Sequence, residues 1–190
     1  MMDSLIGIIS QNSVVHEILT RAPKLNIKNY YIGAGCITQS VWNCLSGMPP
    51  EHGVKDIDFV YFDEDLTEQS EGRTINRIKE LYRDLSIEID VKNQARVHLW
   101  YRNRFGYDIT PYRSLEAAID TWPTTATAIG VRKTVDEWTV YAPFGLDDLF
   151  GMIVRANKVQ ITQAIYEAKV ARWLGIWPNL RVIPWESQQV

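Results

Sequence analysis

Between Tyr30 and Asp63 the chain changes pattern four times in quick succession. A short apolar run enters a turn at Gly33, Ala34 and Gly35. A helix-patterned stretch follows from Cys36 to Ser46, with Ile37, Val41, Cys44 and Leu45 recurring at the i, i+4, i+7, i+8 spacing of one helix face. Gly47 and the pair Pro49-Pro50 end it. A loop then delivers Asp56-Ile57-Asp58 at the head of a second apolar run, Ile57–Phe62. Short apolar runs punctuated by Gly and Pro suit buried strands, so this segment commits the chain to a sheet with at least one helix against it. Two carboxylates spaced i, i+2 on a strand share one face, which puts Asp56 and Asp58 side by side.

The rest of the chain extends this pattern. Residues 3–21 read as one or two helices, with Asn12 or Ser13 as a cap and Pro23 as the stop. Ile75, Ile78, Leu81 and Tyr82 form the apolar stripe of a charged helix. Ile87–Val91 alternates as a strand, with Ile87, Ile89 and Val91 on one side and Glu88, Asp90 and Lys92 on the other. Arg96–Tyr101 suits a short helix, and Ser114 caps another that holds Ala117, Ala118 and Ile119 inside. Thr127–Lys133 and Glu137–Tyr141 read as a hairpin around Thr134–Asp136. A helix over Ile161–Leu174 buries Ile161, Ala164, Ile165 and Ala168 and stops at Gly175, and the last fifteen residues suit an extended tail. The expected class is α/β (α+β), a small mixed β-sheet flanked by helices. At 190 residues one domain is expected, with a core over roughly 25–150 and a C-terminal helix and tail over 151–190 packed on it.

Composition narrows the function classes. Hydrophobic residues are 46% of the chain, enough for a full core. A net charge of −3 argues against a bulk electrostatic grip on DNA or RNA. Cys36 and Cys44 lie i, i+8 in one expected helix, about 12 Å apart along its axis and too far for a disulfide. They read as small core residues in a reducing compartment. No signal peptide and no membrane span is visible, so a cytoplasmic location is expected.

The residues that carry chemistry cluster around the two glycines and the acidic strands. A glycine turn lets backbone approach a phosphate, and the helix behind it offers unpaired N–H groups and the positive end of its dipole. Thr38 and Gln39, in the first turns of that helix, are placed to add hydrogen bonds to phosphate oxygens. Asp56 and Asp58 are hard oxygen ligands suited to Mg²⁺. A third carboxylate on a neighbouring strand would complete a two-metal site, and Asp90 is the candidate with Glu88 behind it. After Asp90 comes a basic stretch, Lys92, Arg96, Arg102, Arg104 and Arg113, interleaved with Trp100, Tyr101, Phe105, Tyr107 and Tyr112. Lys92 and Arg96 suit phosphate oxygens or an anionic acceptor, the aromatics suit stacking on a base, and His98 suits a supporting group or a general base.

These residues resemble the DNA polymerase β-type nucleotidyltransferase superfamily, which pairs a glycine turn and helix with an Asp-x-Asp strand and a third acidic strand. The matching run is IGAG, KDIDFVYF and IEIDVKNQ. Longer blocks, among them DIDFVYFD, PYRSLEAAIDTWPTTATAIGVR and YAPFGLDDLFGMIVRAN, resemble a bacterial nucleotidyltransferase-like family, formerly a domain of unknown function, over most of the chain. The resemblance implies metal and catalytic carboxylates at Asp56, Asp58 and Asp90, and a nucleotide-binding turn at Gly33, Ala34 and Gly35. It implies two Mg²⁺ ions, with Mn²⁺ able to replace them. Its donor substrate would be a nucleoside triphosphate, and its acceptor a small molecule, a protein or an RNA end. Ala34 departs from the superfamily's usual Gly-Ser or Gly-Gly.

Other readings compete at each point. The same fold could serve as a silent nucleotide-binding or regulatory module, or the carboxylates could serve a metal-dependent phosphohydrolase. Trp122, Trp138, Trp173, Trp177 and Trp185 read as packing, Asp147 and Asp148 as helix caps with metal ligation as the alternative, and Lys169 and Arg172 as a surface face with a reach to phosphate as the alternative.

Overall fold

The apolar run Ile57–Phe62 and the alternating strand Ile87–Val91 set the architecture, because together they give the sheet a continuous apolar face. The structure is a computed structural model that describes residues 1–135 and 137–186; Asp136, at the expected hairpin tip, and the end of the expected tail lie outside the described residues. Two helices come first, α1 (Met2–Gln11) and α2 (Ser13–Arg21), separated by Asn12, whose side chain accepts from Val15 N at 3.1 Å and caps α2. Then follow β1 (Tyr30–Gly33), α3 (Gly35–Leu45), β2 (Asp56–Tyr61), α4 (Glu68–Leu81) and β3 (Glu88–Asn93). After a 3₁₀ turn come α5 (Val97–Phe105), α6 (Leu115–Ile119), β4 (Gly130–Lys133) and β5 (Trp138–Tyr141). The chain continues through α7 (Asp147–Phe150), β6 (Ile153–Val154), α8 (Gln163–Leu174) and β7 (Arg181–Val182).

The main sheet has the order β3-β2-β1-β4-β5 and is mixed. Only β2 and β3 run parallel in it, joined by the α4 crossover that a parallel pair needs. The other neighbours are antiparallel, and β6 and β7 form a small parallel pair of their own. No helix among the described residues is long and apolar enough to cross a membrane.

One sheet face carries Tyr30, Ile32, Ile57, Phe59, Ile89 and Val91, all buried against α1, α2, α3 and α4. The Tyr30 and Phe59 rings stack there at 5.4 Å. The other face carries Tyr31 and Val60, which meet Leu115 and Ile119 of α6 in a second, smaller apolar cluster. Phe62, Trp122 and Tyr141 pack against that cluster, and the β2–β3 end of the face is polar, with Asp56, Asp58, Glu88, Asp90 and Lys92.

Two helices bury a different stripe from the one the apolar spacing predicts. In α3, Cys44 and Leu45 are exposed, while Ile37, Val41, Trp42 and Asn43 are buried. Asn43 is the reason. Its Nδ2 donates to Pro50 O at 3.0 Å and His52 O at 2.8 Å, and its Oδ1 accepts from Trp177 Nε1 at 2.8 Å. A buried carboxamide satisfied on both ends outweighs the apolar spacing and rotates the helix. In α8, Ala164 and Ala168 are exposed, and Tyr166 and Trp173 go inside. Trp42 meets Trp173 and Trp177 edge-on at 5.5 Å each, a larger apolar area than the alanines offer. Asp148 is not a cap; it accepts from Thr125 Oγ1 at 2.6 Å and pairs with Arg155 at 2.9 Å.

A candidate nucleotide and metal site on the polar face

Register brings the key residues into one row. Gly33 of β1 lies opposite Asp58 of β2, and Asp58 lies opposite Asp90 of β3. Asp56, two residues earlier, lies opposite Glu88 on the same face. The row stands at the open end of β1, where the chain turns into α3.

That turn is tightly built. A Cβ on Gly33 would stand 2.5 Å from Ile129 O and 2.9 Å from the Trp122 ring, so only glycine fits under the indole. Ala34 follows at φ 53°, ψ −125°, a conformation that strains an L-residue, and it offers no side-chain cap to α3. Its own N–H is held by Ile129 O at 3.0 Å. The first N–H groups of α3 are therefore left without a cap beside the row, the arrangement that suits an anion. Thr38 is not part of it. Its side chain is fully buried and its hydroxyl donates back to Ala34 O and Ala126 O, each at 3.0 Å. Gln39 folds over the turn, with its Nε2 3.0 Å from where a Gly35 Cβ would be and its Oε1 buried without a hydrogen-bond partner.

Asp58 is the electrostatic centre. Burial pushes its carboxyl up to about 6, helped by Asp56 and Asp90 and opposed by Lys92 and Lys169. Beneath it Cys36 donates its thiol to Gly33 O at 3.2 Å, and burial, with Asp58 nearby, holds that thiol protonated. Asp90 is paired with the Lys92 ammonium. The three aspartates share a face, but among the described residues no three acidic, imidazole or thiol groups are gathered tightly enough to hold a cation as they stand. The donor set still fits Mg²⁺. It is all hard oxygen, and the crowding that raises Asp58 is what a divalent cation would relieve.

A cavity of about 320 Å³ opens beside Asp58 and Ala34. Lys92 lines it, with Val97, Trp100, Tyr101, Arg104 and Phe105 of α5 as one wall. Trp122, Pro123, Gln160, Ile161, Ile165 and Lys169 line it as well. Two of the nucleotide candidates lie elsewhere. Arg96 is buried in an ion pair with Glu71 of α4, with Glu68 at 4.0 Å, and so anchors the crossover helix. His98 is on the α5 face away from the cavity, half-buried, with Nδ1 lacking a partner.

Three lining groups were absent from the expected site, Lys169 because its surface reading was preferred over a reach to phosphate, Trp122 because it read as packing, and Gln94 because nothing singled it out. Lys169 is no surface lysine. Burial lowers its pKa, as does Arg172, while Asp58 and Asp56 raise it. Nothing local in the sequence signals this, since α8 is far along the chain. Trp122 borders the cavity as well as packing on Gly33. Gln94 lines it too, and extending the β3 alternation Asp90, Lys92 by two residues would have found it.

Comparison with known proteins bears on this geometry. No curated protein matches the chain. A solved structure described as an NMR structure revealing a CCA-adding enzyme head domain aligns with 90% of this chain and 89% of its own, at a TM-score of 0.72 and 24% identity. It is a likeness of fold. An apo form of a tRNA-processing enzyme aligns with 87% of this chain and 44% of its own, at a TM-score of 0.46 and 17% identity. The sequence pattern of a family described as nucleotidyltransferase matches residues 20–182, a stretch that includes the glycine turn, all three aspartates and Lys169. The chain thus belongs to that nucleotidyltransferase family.

Proposed function

We propose that this chain moves a nucleoside monophosphate from a nucleoside triphosphate to a hydroxyl acceptor, with Asp56, Asp58 and Asp90 as ligands for two Mg²⁺ ions. The observation that carries the reading is the row Gly33–Asp58–Asp90 across three adjacent strands, with Asp56 on the same face. It sets an uncapped helix end beside clustered carboxylates, which is what a triphosphate and its counter-ions require. Bound metal would neutralise charge on the transferring phosphoryl group. Lys169 and Arg104 would hold phosphate oxygens from the cavity side, and Lys92, released from Asp90, would join them. Asp90 would then be free to accept the acceptor's proton.

The test is calorimetry with ATP, CTP, GTP and UTP, with and without Mg²⁺, on the parent chain and Asp56→Asn. Metal-dependent binding lost in the variant supports the assignment, and equal binding in both overturns it. Pyrophosphate as the released product distinguishes transfer from phosphate-releasing hydrolysis.

The Lys92–Asp90 pair favours one second reading, a nucleotide-binding module without turnover, in which the ammonium stays on Asp90 in place of a metal. Such a chain would bind nucleotide equally well in EDTA and release no pyrophosphate.

A further inference from the structure

Gln94 differs from every other polar residue around the cavity. It is 5% exposed, and its carboxamide makes no hydrogen bond with any described residue. Its neighbours are all engaged. Asn93 is clamped to Asp63 and Ala95, Lys92 holds Asp90, and Arg96 holds Glu71. The Gln94 side chain is otherwise buried, and its carboxamide is reached from the cavity, so its donor and acceptor are open to a ligand there. Gln94 opens the 3₁₀ turn directly after β3 and lines the cavity together with Asp58 and Lys92. Val97, Trp100, Tyr101, Trp122 and Ile161 line it too, an apolar surface with three aromatic rings.

We propose that Gln94 reads the nucleobase of the triphosphate and sets the base preference of the enzyme. This rests on the nucleotidyl-transfer reading above. A carboxamide presents one donor edge and one acceptor edge side by side, which matches the paired donor and acceptor of a base edge. Gln160 supplies a second, oriented group. Its Oε1 accepts from Tyr112 Oη at 2.8 Å and its backbone carbonyl from Tyr107 Oη at 2.6 Å, so its Nε2 is left as the donor. The aromatic wall holds any base by stacking, and the carboxamide discriminates among them, because a wrong base leaves it buried and unpaired.

The experiment measures binding of ATP, CTP, GTP, UTP and inorganic tripolyphosphate, each with Mg²⁺, to the parent chain, Gln94→Ala and Gln94→Met. The methionine keeps length and volume, so it stays informative if the alanine variant does not fold. The parent should prefer one base by about tenfold or more. In the variants the four affinities should fall within about threefold of one another, with tripolyphosphate binding unchanged. A preference that survives both substitutions, or a parent that binds all four alike, overturns the role of Gln94 and leaves nucleotidyl transfer standing. A parent that binds neither nucleotide nor tripolyphosphate overturns both.

Discussion

The two faces of the central sheet are built on the same strands, one residue out of step, yet they are stabilised in opposite ways. On one face Ile57, Phe59, Ile89 and Val91 meet apolar helices and are buried. On the other, Asp56, Asp58 and Asp90 stand together, and Asp58 alone is held near 6 by burial among its neighbours. The first face gains stability from what it excludes. The second gives up stability by keeping a charge-bearing group in a buried, like-charged place.

The sharpest way to break the comparison is to neutralise the polar face. Asp58→Asn should lower the rate of pyrophosphate release by about 10³-fold or more, the loss of several kcal/mol of metal-borne charge stabilisation. A rate within tenfold of the parent would remove Asp58 from the chemistry. The matching change on the apolar face is Phe59→Ala, which should cost about 3–5 kcal/mol in urea unfolding. Transfer per folded molecule should fall much less than in the aspartate variant.

Next in size is a pH effect. The carboxyl of Asp58 is raised from 3.8 to about 6 in the folded chain, so its contribution is stabilising below pH 3.8 and is lost as pH rises through about 6. In EDTA, Asp58→Asn should therefore be more stable than the parent at pH 7.5, by about 3 kcal/mol, and no more stable at pH 4. Adding Mg²⁺ should close the gap at pH 7.5 by stabilising only the parent. A gap independent of pH would mean the side chain is not strained by its charge.

Lys169→Ala should raise the KM for triphosphate by about tenfold with a smaller change in kcat, as expected for one charge-assisted contact of roughly 1.5 kcal/mol. An unchanged KM would return Lys169 to the surface role that its sequence suggests. The smallest effect is at the turn. Ala34→Gly should raise stability by about 1 kcal/mol, because φ 53° is free for glycine and strained for alanine. Thermal melting would check it, and a lower Tm would show that the Ala34 methyl packs better than its backbone suffers.

The apolar face was legible from the sequence and much of the polar face was not, for a physical reason. The apolar run Ile57–Phe62, the i, i+2 spacing of Asp56 and Asp58, and the alternation in Ile87–Val91 are local, so they gave the strands and put Asp90 on a polar side. Which strands pair, and in what register, is not local, yet register is what sets Asp58 opposite Asp90. Thr38, Arg96 and Lys169 show the same limit. Each was judged by its sequence neighbours, while its role is set by distant partners: Ala126, Glu71 and Asp58. In α3 and α8 apolar spacing lost to a buried Asn43 and to a tryptophan cluster, neither of which a hydrophobic period registers.

The cavity's three cations, Lys92, Arg104 and Lys169, come from an edge strand, the helix after it and the last helix of the chain. During synthesis the turn and Asp56 emerge early, but β3 must still pair with β2 across the whole α4 crossover, a slow, long-range step. Lys169 arrives later still, when α8 docks beneath Trp42. A growing chain would therefore expose its acidic row well before it owns the cations that face it across the cavity, and the cavity would be complete only when folding is nearly finished.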